Sequence, residues 1–170
     1  MNFKAHIAKY ITENYSTSQL PEIALYGLKE NLKSESLEIL ASMSKLDNGF
    51  EILEYFDKAI FELNYKLPDK RTASLIYSEA IIDEIIKGEK EVLIGLSEIV
   101  NNAIRKYDFY SESVNYLYDS IGFSKVYGLY DDYTDNIDDE NIKIEIIKEL
   151  EPELLIWKSR IKNELCKSIE

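Results

Sequence analysis

The chain has 170 residues, of which 45% are apolar, and a formal net charge of −12. That length and apolar content suit one folded domain with a substantial core, which excludes disorder along the whole chain. The acidic balance opposes direct binding to nucleic-acid phosphates or to anionic lipid, and no apolar run approaches the roughly 20 residues that cross a bilayer.

The N-terminal stretch MNFKAHIAKYITENY lacks a signal-peptide core, and we expect a cytoplasmic protein. Within it, Phe3, Ile7, Tyr10, Ile11 and Asn14 trace one helical face. His6, the single histidine, lies beside that stripe and reads as a surface or boundary residue. After a polar break, Ser18 is a candidate cap for a helix with Pro21 in its first turn, running through Ile23, Ala24 and Leu28. Ser34 or Ser36 can cap a short helix carrying Leu37, Leu40 and Met43, closed by the turn Leu46-Asp47-Asn48-Gly49. Leu53, Phe56, Ile60 and Leu63 then recur at helical spacing as a buried stripe.

Asp69 is a plausible cap for the next helix, which is apolar around much of its circumference through Leu75, Ile76, Ala80, Ile81, Ile82, Ile85 and Ile86. Gly88 is placed to end it in the left-handed conformation. The following helix has a double stripe, Val92, Leu96, Ile99 and Ala103 beside Leu93, Val100, Ile104 and Tyr107. Ser111 with Glu112 reads as the start of another helix, with Val114, Leu117 and Ile121 inward and Gly122 as its end. Residues 124–133 suit either a short helix or a loop, and Thr134 to Asp139 is the best loop candidate. The last segment carries Ile147, Leu150, Leu154, Trp157, Ile161, Leu165 and Ile169 at helical spacing. Pro152 interrupts it, and an interior proline costs about 3 kcal/mol, so a break or kink is expected near Glu149 to Glu151. Ile142, Ile144 and Ile146 alternate like a strand, but nothing elsewhere offers that strand a partner. Together these segments predict an all-α fold, a single domain over residues 1–170 built from roughly seven to nine short helices, with a faint solenoid-like succession of pairs.

The distribution of charge is more telling than its total. Residues 108–140 hold nine carboxylates, six tyrosines and one basic residue, Lys125, a formal charge of 1 − 9 = −8. Such concentrated charge repels itself and is a poor way to stabilise a fold. Tyrosines among exposed acids supply rigid amphipathic contact area for a partner. We expect the binding surface to comprise Glu112, Tyr118, Asp119, Tyr130, Asp131, Asp132, Tyr133, Asp135, Asp138 and Asp139. Tyr118, Tyr130 and Tyr133 would be the anchors, and the acids the steering or ion-pairing groups.

Catalytic signatures are sparse. One histidine and one cysteine, Cys166, make neither a nucleophile triad nor a structural zinc site; Cys166 reads as a small half-buried hydrophobe, and a lone cysteine fits a reducing compartment. The six glycines form no phosphate-binding loop. The acidic run from Asp131 departs from the EF-hand template, with Ile137 where glycine is needed and Lys143 where the bidentate glutamate belongs. Glu79, Asp83 and Glu84 share one helix at spacings that can hold magnesium in all-helical nucleotide pyrophosphohydrolases, with Glu98 as a conceivable partner from the next helix.

The stretch Leu20 to Leu63, LPEIALYGLKENLKSESLEILASMSKLDNGFEILEYFDKAIFEL, extended by IIKGE at Ile85 to Glu89, resembles small all-helical bacterial proteins that include immunity proteins of polymorphic and contact-dependent toxin systems. The matched positions are mainly apolar and capping residues over the first two thirds of the chain. The resemblance therefore bears on the fold, and it carries no functional residue across. Taken with the acidic, tyrosine-rich surface and the missing catalytic apparatus, it leads us to expect an immunity protein that neutralises a basic toxin domain, a nuclease above all, by binding it, with no catalytic residue, cofactor or metal. The alternatives are a metal-dependent all-α nucleotide hydrolase built on Glu79, Asp83, Glu84 and Glu98, and a general protein-interaction module.

Overall fold

The computed structural model describes residues 1–136 and 140–167. All regular structure among them is helical, as the periodicity predicts. The sequence leads to an expectation of one domain; the contacts within the chain divide into two compact units, Met1–Ala73 and Ser74–Glu170.

In the first unit, α1 (Phe3–Ile11) is capped by the Asn2 side chain, which accepts from the Ala5 N–H at 2.9 Å. A 3-10 turn at Thr17–Gln19 leads into α2 (Leu20–Lys29), with Pro21 in its first turn. The cap of that entry is Ser16 rather than Ser18: its N–H donates to the Gln19 side chain at 2.8 Å, one half of a capping box. Ser34 caps α3 (Glu35–Ser42), accepting from the Leu37 N–H at 3.0 Å. Asn48 caps α4 (Gly49–Glu62), accepting from the Phe50 N–H at 3.0 Å. The core contains Phe3, Ile7, Leu20, Ile23, Ala24, Leu37, Leu40, Ile52, Phe56 and Ala59, and each fully buried Ile, Leu or Phe contributes about 1.5–3 kcal/mol. On α4 the fully buried line is Ile52, Phe56 and Ala59, while Leu53, Ile60 and Leu63 of the expected stripe are half-buried beside it. The helix is turned by about one residue from the expected stripe, and it packs on α3, whose Leu37 and Leu40 share the same core. His6 is buried too, 7% exposed, in a stack with Tyr26 (centroids 3.9 Å apart) and Tyr15 (6.0 Å), and the Tyr15 hydroxyl lies 3.3 Å from its Nδ1. The expected surface or boundary position is thereby corrected to a buried one: two rings supply the apolar cover and a phenol meets a ring nitrogen.

Helix α5 (Lys70–Ile86) begins at Asp69, whose carboxylate accepts from the Thr72 N–H at 2.7 Å. Its Leu75, Tyr77, Ile81 and Ile82 are almost wholly buried. Gly88 terminates it with φ of +70°, the left-handed conformation expected there. In the second unit, α6 (Val92–Ile99) runs through a π-helical segment, Val100–Ile104, into the short α7 (Arg105–Tyr107). The wider π turn turns residues from both expected stripes inward, and Leu96, Ile99, Val100, Ala103 and Ile104 are all buried. Two 3-10 turns, Phe109–Glu112 and Asp119–Ile121, precede α8 (Ser124–Asp135) and α9 (Glu140–Lys167), which pack on each other.

Helix α9 is continuous through Pro152, contrary to the expected break. Its inward line of Ile146, Leu150, Leu154, Trp157, Ile161 and Leu165 runs through the proline, which itself is exposed. Trp157 is 1% exposed, packs on Phe123 at 4.3 Å and donates from Nε1 to the Ile121 carbonyl at 3.0 Å. Burying that one side chain offsets most of the local cost of the proline. Ile142 and Ile144 are exposed helical residues, not strand residues. Cys166, expected to be half-buried, is exposed.

Candidate functional site

The acidic, tyrosine-rich segment begins where α7 ends. Asp108 takes a left-handed conformation (φ +69°), as do Tyr118 (φ +61°) and Gly122 (φ +68°). These bends replace the helix expected from Ser111. The residues explain it: Ser111, Ser113, Asn115, Tyr116, Asp119 and Ser120 are poor helix formers, and short polar side chains compete for the backbone. Asp119 wins that competition. Its Oδ1 accepts from the Val114 N–H at 2.9 Å, and its Oδ2 accepts from the N–H groups of Asn115 at 2.7 Å and Tyr116 at 3.1 Å. Ser113 adds a second fastening, its Oγ accepting from the Tyr118 N–H at 2.9 Å. Chiefly because of the Val114 and Asn115 amides, the Asp119 carboxyl is held down at a pKa of about 2.

This local fold corrects two expected site residues. Tyr118 is not a surface anchor: it is 5% exposed, packed edge-on against Tyr127 at 5.0 Å and against Phe123 at 6.1 Å. Asp119 keeps its negative charge, but it does not offer a free carboxylate for ion pairing, because both its oxygens organise the loop. Of the residues expected to point inward, Ile121 is buried and Leu117 half-buried, but Val114 is 83% exposed. Tyr110 and Tyr116, which are not among the expected anchors, are 67% and 75% exposed. The run of poor helix formers was the available signal, and the apolar spacing of Val114, Leu117 and Ile121 masked it.

Beyond Gly122 the chain returns to helix. A Cβ on Gly122 would fall 2.4 Å from Nη1 of Arg160, so both the left-handed backbone and the close approach of α9 require glycine there. Helix α8 resolves the open choice between helix and loop and extends into the expected loop as far as Asp135. It buries Val126, leaves Tyr130 and Tyr133 half-buried, and exposes Asp131, Asp132 and Asp135. Asp131 and Asp135 stand one helical turn apart on the same face. None of these three carboxylates is in an ion pair among the described residues. The Nζ of Lys143 on α9 lies 5.6 Å from the Tyr133 ring centroid. Glu112 is half-buried at the end of its turn. Asp138 and Asp139 lie outside the described residues.

The carboxylates considered for magnesium are tied to lysines. Lys158 pairs with Asp83, Lys162 reaches Glu79 at 3.9 Å, and Lys90 lies between Glu84 at 3.0 Å and Glu98 at 2.5 Å, with the Tyr77 hydroxyl donating to Glu98. Burial disfavours the charge on Lys90, but its bonds to Glu98 and Glu84 outweigh that and raise its pKa. Glu84 and Glu98 are thus brought together around an ammonium group. Among the described residues no group of three or more His, Cys, Asp or Glu is placed to hold a metal ion, and no helix is long and apolar enough to cross a membrane. Comparison with family models, with curated proteins and with solved structures returns no match.

Proposed function

We propose that this protein acts by stoichiometric binding, as an immunity protein that neutralises a basic toxin domain, a nuclease in the first instance. The observation that carries this reading is the exposed set Asp131, Asp132 and Asp135 on α8, in no ion pair among the described residues and within a segment that holds most of the excess negative charge. Nuclease active sites are cationic because they hold phosphates, so a folded acidic surface competes for such a site or covers its rim. Charge of this kind speeds encounter, raising association rates ~10–1000-fold at low salt. The tie between each candidate magnesium ligand and a lysine gives the hydrolase reading no comparable support.

The test takes the protein encoded by the neighbouring gene, purifies its C-terminal domain and mixes it with the intact protein; a neighbour with no toxic activity counts against the reading. A one-to-one complex that abolishes the toxin's activity is the expected result. Reversing Asp131, Asp132 and Asp135 to lysine should slow association and flatten its salt dependence, leaving the fold intact. Unchanged association by that variant removes the surface assignment. Magnesium-dependent release of pyrophosphate from nucleotides by the protein alone, abolished in Glu79→Gln, overturns the binding reading altogether.

A further inference from the structure

We propose that the cavity at the start of α8 binds a phosphate-sized tetrahedral oxoanion, held between the open N–H groups of the helix, the Ser124 hydroxyl and the Arg160 guanidinium. The site lies at the opposite end of α8 from Asp132 and Asp135 and does not depend on the binding reading above.

A cavity of about 240 Å³ opens there, lined at the foot of α8 by Gly122, Ser124 and Lys125 and from α9 by Glu153, Trp157 and Arg160. Helix α8 enters it without a cap. No side chain accepts from its first turn, and the first of its N–H groups to reach a carbonyl is that of Tyr127, which donates to Phe123 at 2.9 Å. The N–H groups of Ser124, Lys125 and Val126 therefore have no acceptor among the described residues, and the helix dipole adds partial positive charge at that end. On most proteins water meets such a helix start. Here a second group points to a ligand. Ser124 lines the cavity, and its Oγ is buried with no hydrogen-bond partner among the described residues. Buried hydroxyls are nearly always bonded. With no bond to break, this one is free to turn about χ1 toward a ligand oxygen.

Four charged side chains line the cavity, Asp119, Lys125, Glu153 and Arg160, and the first three are engaged with one another's surroundings. Asp119 accepts from the amides of Val114, Asn115 and Tyr116, and Lys125 donates to Glu153 at 2.6 Å. Arg160 is in no hydrogen bond or ion pair among the described residues. Its Nη1 lies where a side chain at position 122 would stand, so glycine there lets the guanidinium reach the foot of the helix. Although the four formal charges cancel, the groups left open are donors: three backbone N–H groups, a hydroxyl and a guanidinium. A guanidinium offers two parallel N–H groups to two oxygens of a phosphate, and the remaining oxygens are left for the helix amides and the hydroxyl. A carboxylate has only two oxygens and cannot serve both sides. A cation meets the positive end of the helix and two carboxylates whose oxygens already accept.

The experiment titrates the intact, 15N-labelled protein separately with sodium phosphate and with O-phosphoserine at constant pH, with sodium chloride at matched ionic strength as the control. Phosphate should give saturable amide shifts centred on Ser124, Lys125 and Val126, and chloride should not. Arg160→Gln, at an exposed position, should weaken phosphate binding about tenfold or more while keeping the parental circular-dichroism spectrum. Ser124→Ala should weaken it by about threefold. O-Phosphoserine that binds as tightly as phosphate assigns the site to a phosphorylated group on another molecule; binding about tenfold weaker assigns it to the free ion. The proposal is overturned if phosphate gives no saturable shift at these amides, if chloride shifts them equally, or if Arg160→Gln binds phosphate as the parent does. None of these results bears on the acidic surface at Asp131, Asp132 and Asp135, which is tested by its own partner.

Discussion

Two carboxylates, one in each unit, do the same chemistry to opposite ends. In the first unit, Glu62 at the end of α4 accepts from the Ser34 hydroxyl at 2.6 Å and from the Ser36 hydroxyl and N–H at 2.5 and 3.1 Å, so it fastens α4 to the start of α3. The Ser34 bond, then those of Ser36, hold its pKa low. That fastening closes the apolar faces of α3 and α4 over Leu37, Leu40 and Phe56. In the second unit, Asp119 gathers three consecutive amides and turns Val114 and Tyr116 out into water. One carboxylate serves burial and the other serves display. A polar clamp does not say what it is for; that depends on which side of the backbone its apolar neighbours are left.

The sharpest way to break the contrast is at the core of the second unit. Trp157→Ala should lower unfolding stability by about 3–5 kcal/mol, because it removes a fully buried indole and strands the Ile121 carbonyl; urea unfolding measures it. A loss under 1 kcal/mol means that α8 and the 3-10 turn before it do not depend on α9. Pro152→Ala should act in the opposite direction. Restoring an N–H for the Lys148 carbonyl recovers part of the roughly 3 kcal/mol that an interior proline costs, less about 0.4–1 kcal/mol for a looser unfolded chain. A net gain of about 2 kcal/mol is expected in the same assay.

In the first unit, Ser34→Ala removes the cap of α3 and the hydroxyl that donates to Glu62, and should cost about 1 kcal/mol. The smallest effect on global stability, and the most local one, is expected from Asp119→Asn. Whichever way the amide is turned, its NH2 faces a backbone N–H that the carboxylate accepted, so the amides of Val114, Asn115 and Tyr116 should exchange with solvent faster while the rest of the chain is unchanged. Lowering the pH should mimic the substitution. The folded-state pKa of Asp119, about 2, lies below its ordinary 3.8, so the loop's contribution is complete above that ordinary value and is lost as the pH falls through about 2. Loop amides that stay protected at pH 2 remove Asp119 as the organiser.

Much of the helical map was legible because periodicity reports burial directly. Phe3 and Ile7, Leu37 and Leu40, Ile81 and Ile82, and the line from Leu150 to Leu165 all lie where their spacing put them. Local chemistry was legible too, in the caps at Ser34 and Asp69 and the left-handed stop at Gly88. Spacing failed as a guide where a side chain overruled the pattern. Ser16 took the cap from Ser18, His6 found two rings to lie between, and Asp119 dissolved a helix that Val114, Leu117 and Ile121 had announced.

The sequence by itself determined the helical class, most of the core, and the gathering of charge and tyrosine after Asp108, since each follows from composition and from spacing along the chain. Only the tertiary structure decided that Pro152 would be carried inside a continuous helix, that four carboxylates near α5 would be met by lysines, and that Tyr110 and Tyr116 rather than Tyr118 would face water. Those outcomes depend on contacts between residues far apart in sequence, such as Trp157 with Ile121 and Lys158 with Asp83, and no local spacing encodes them.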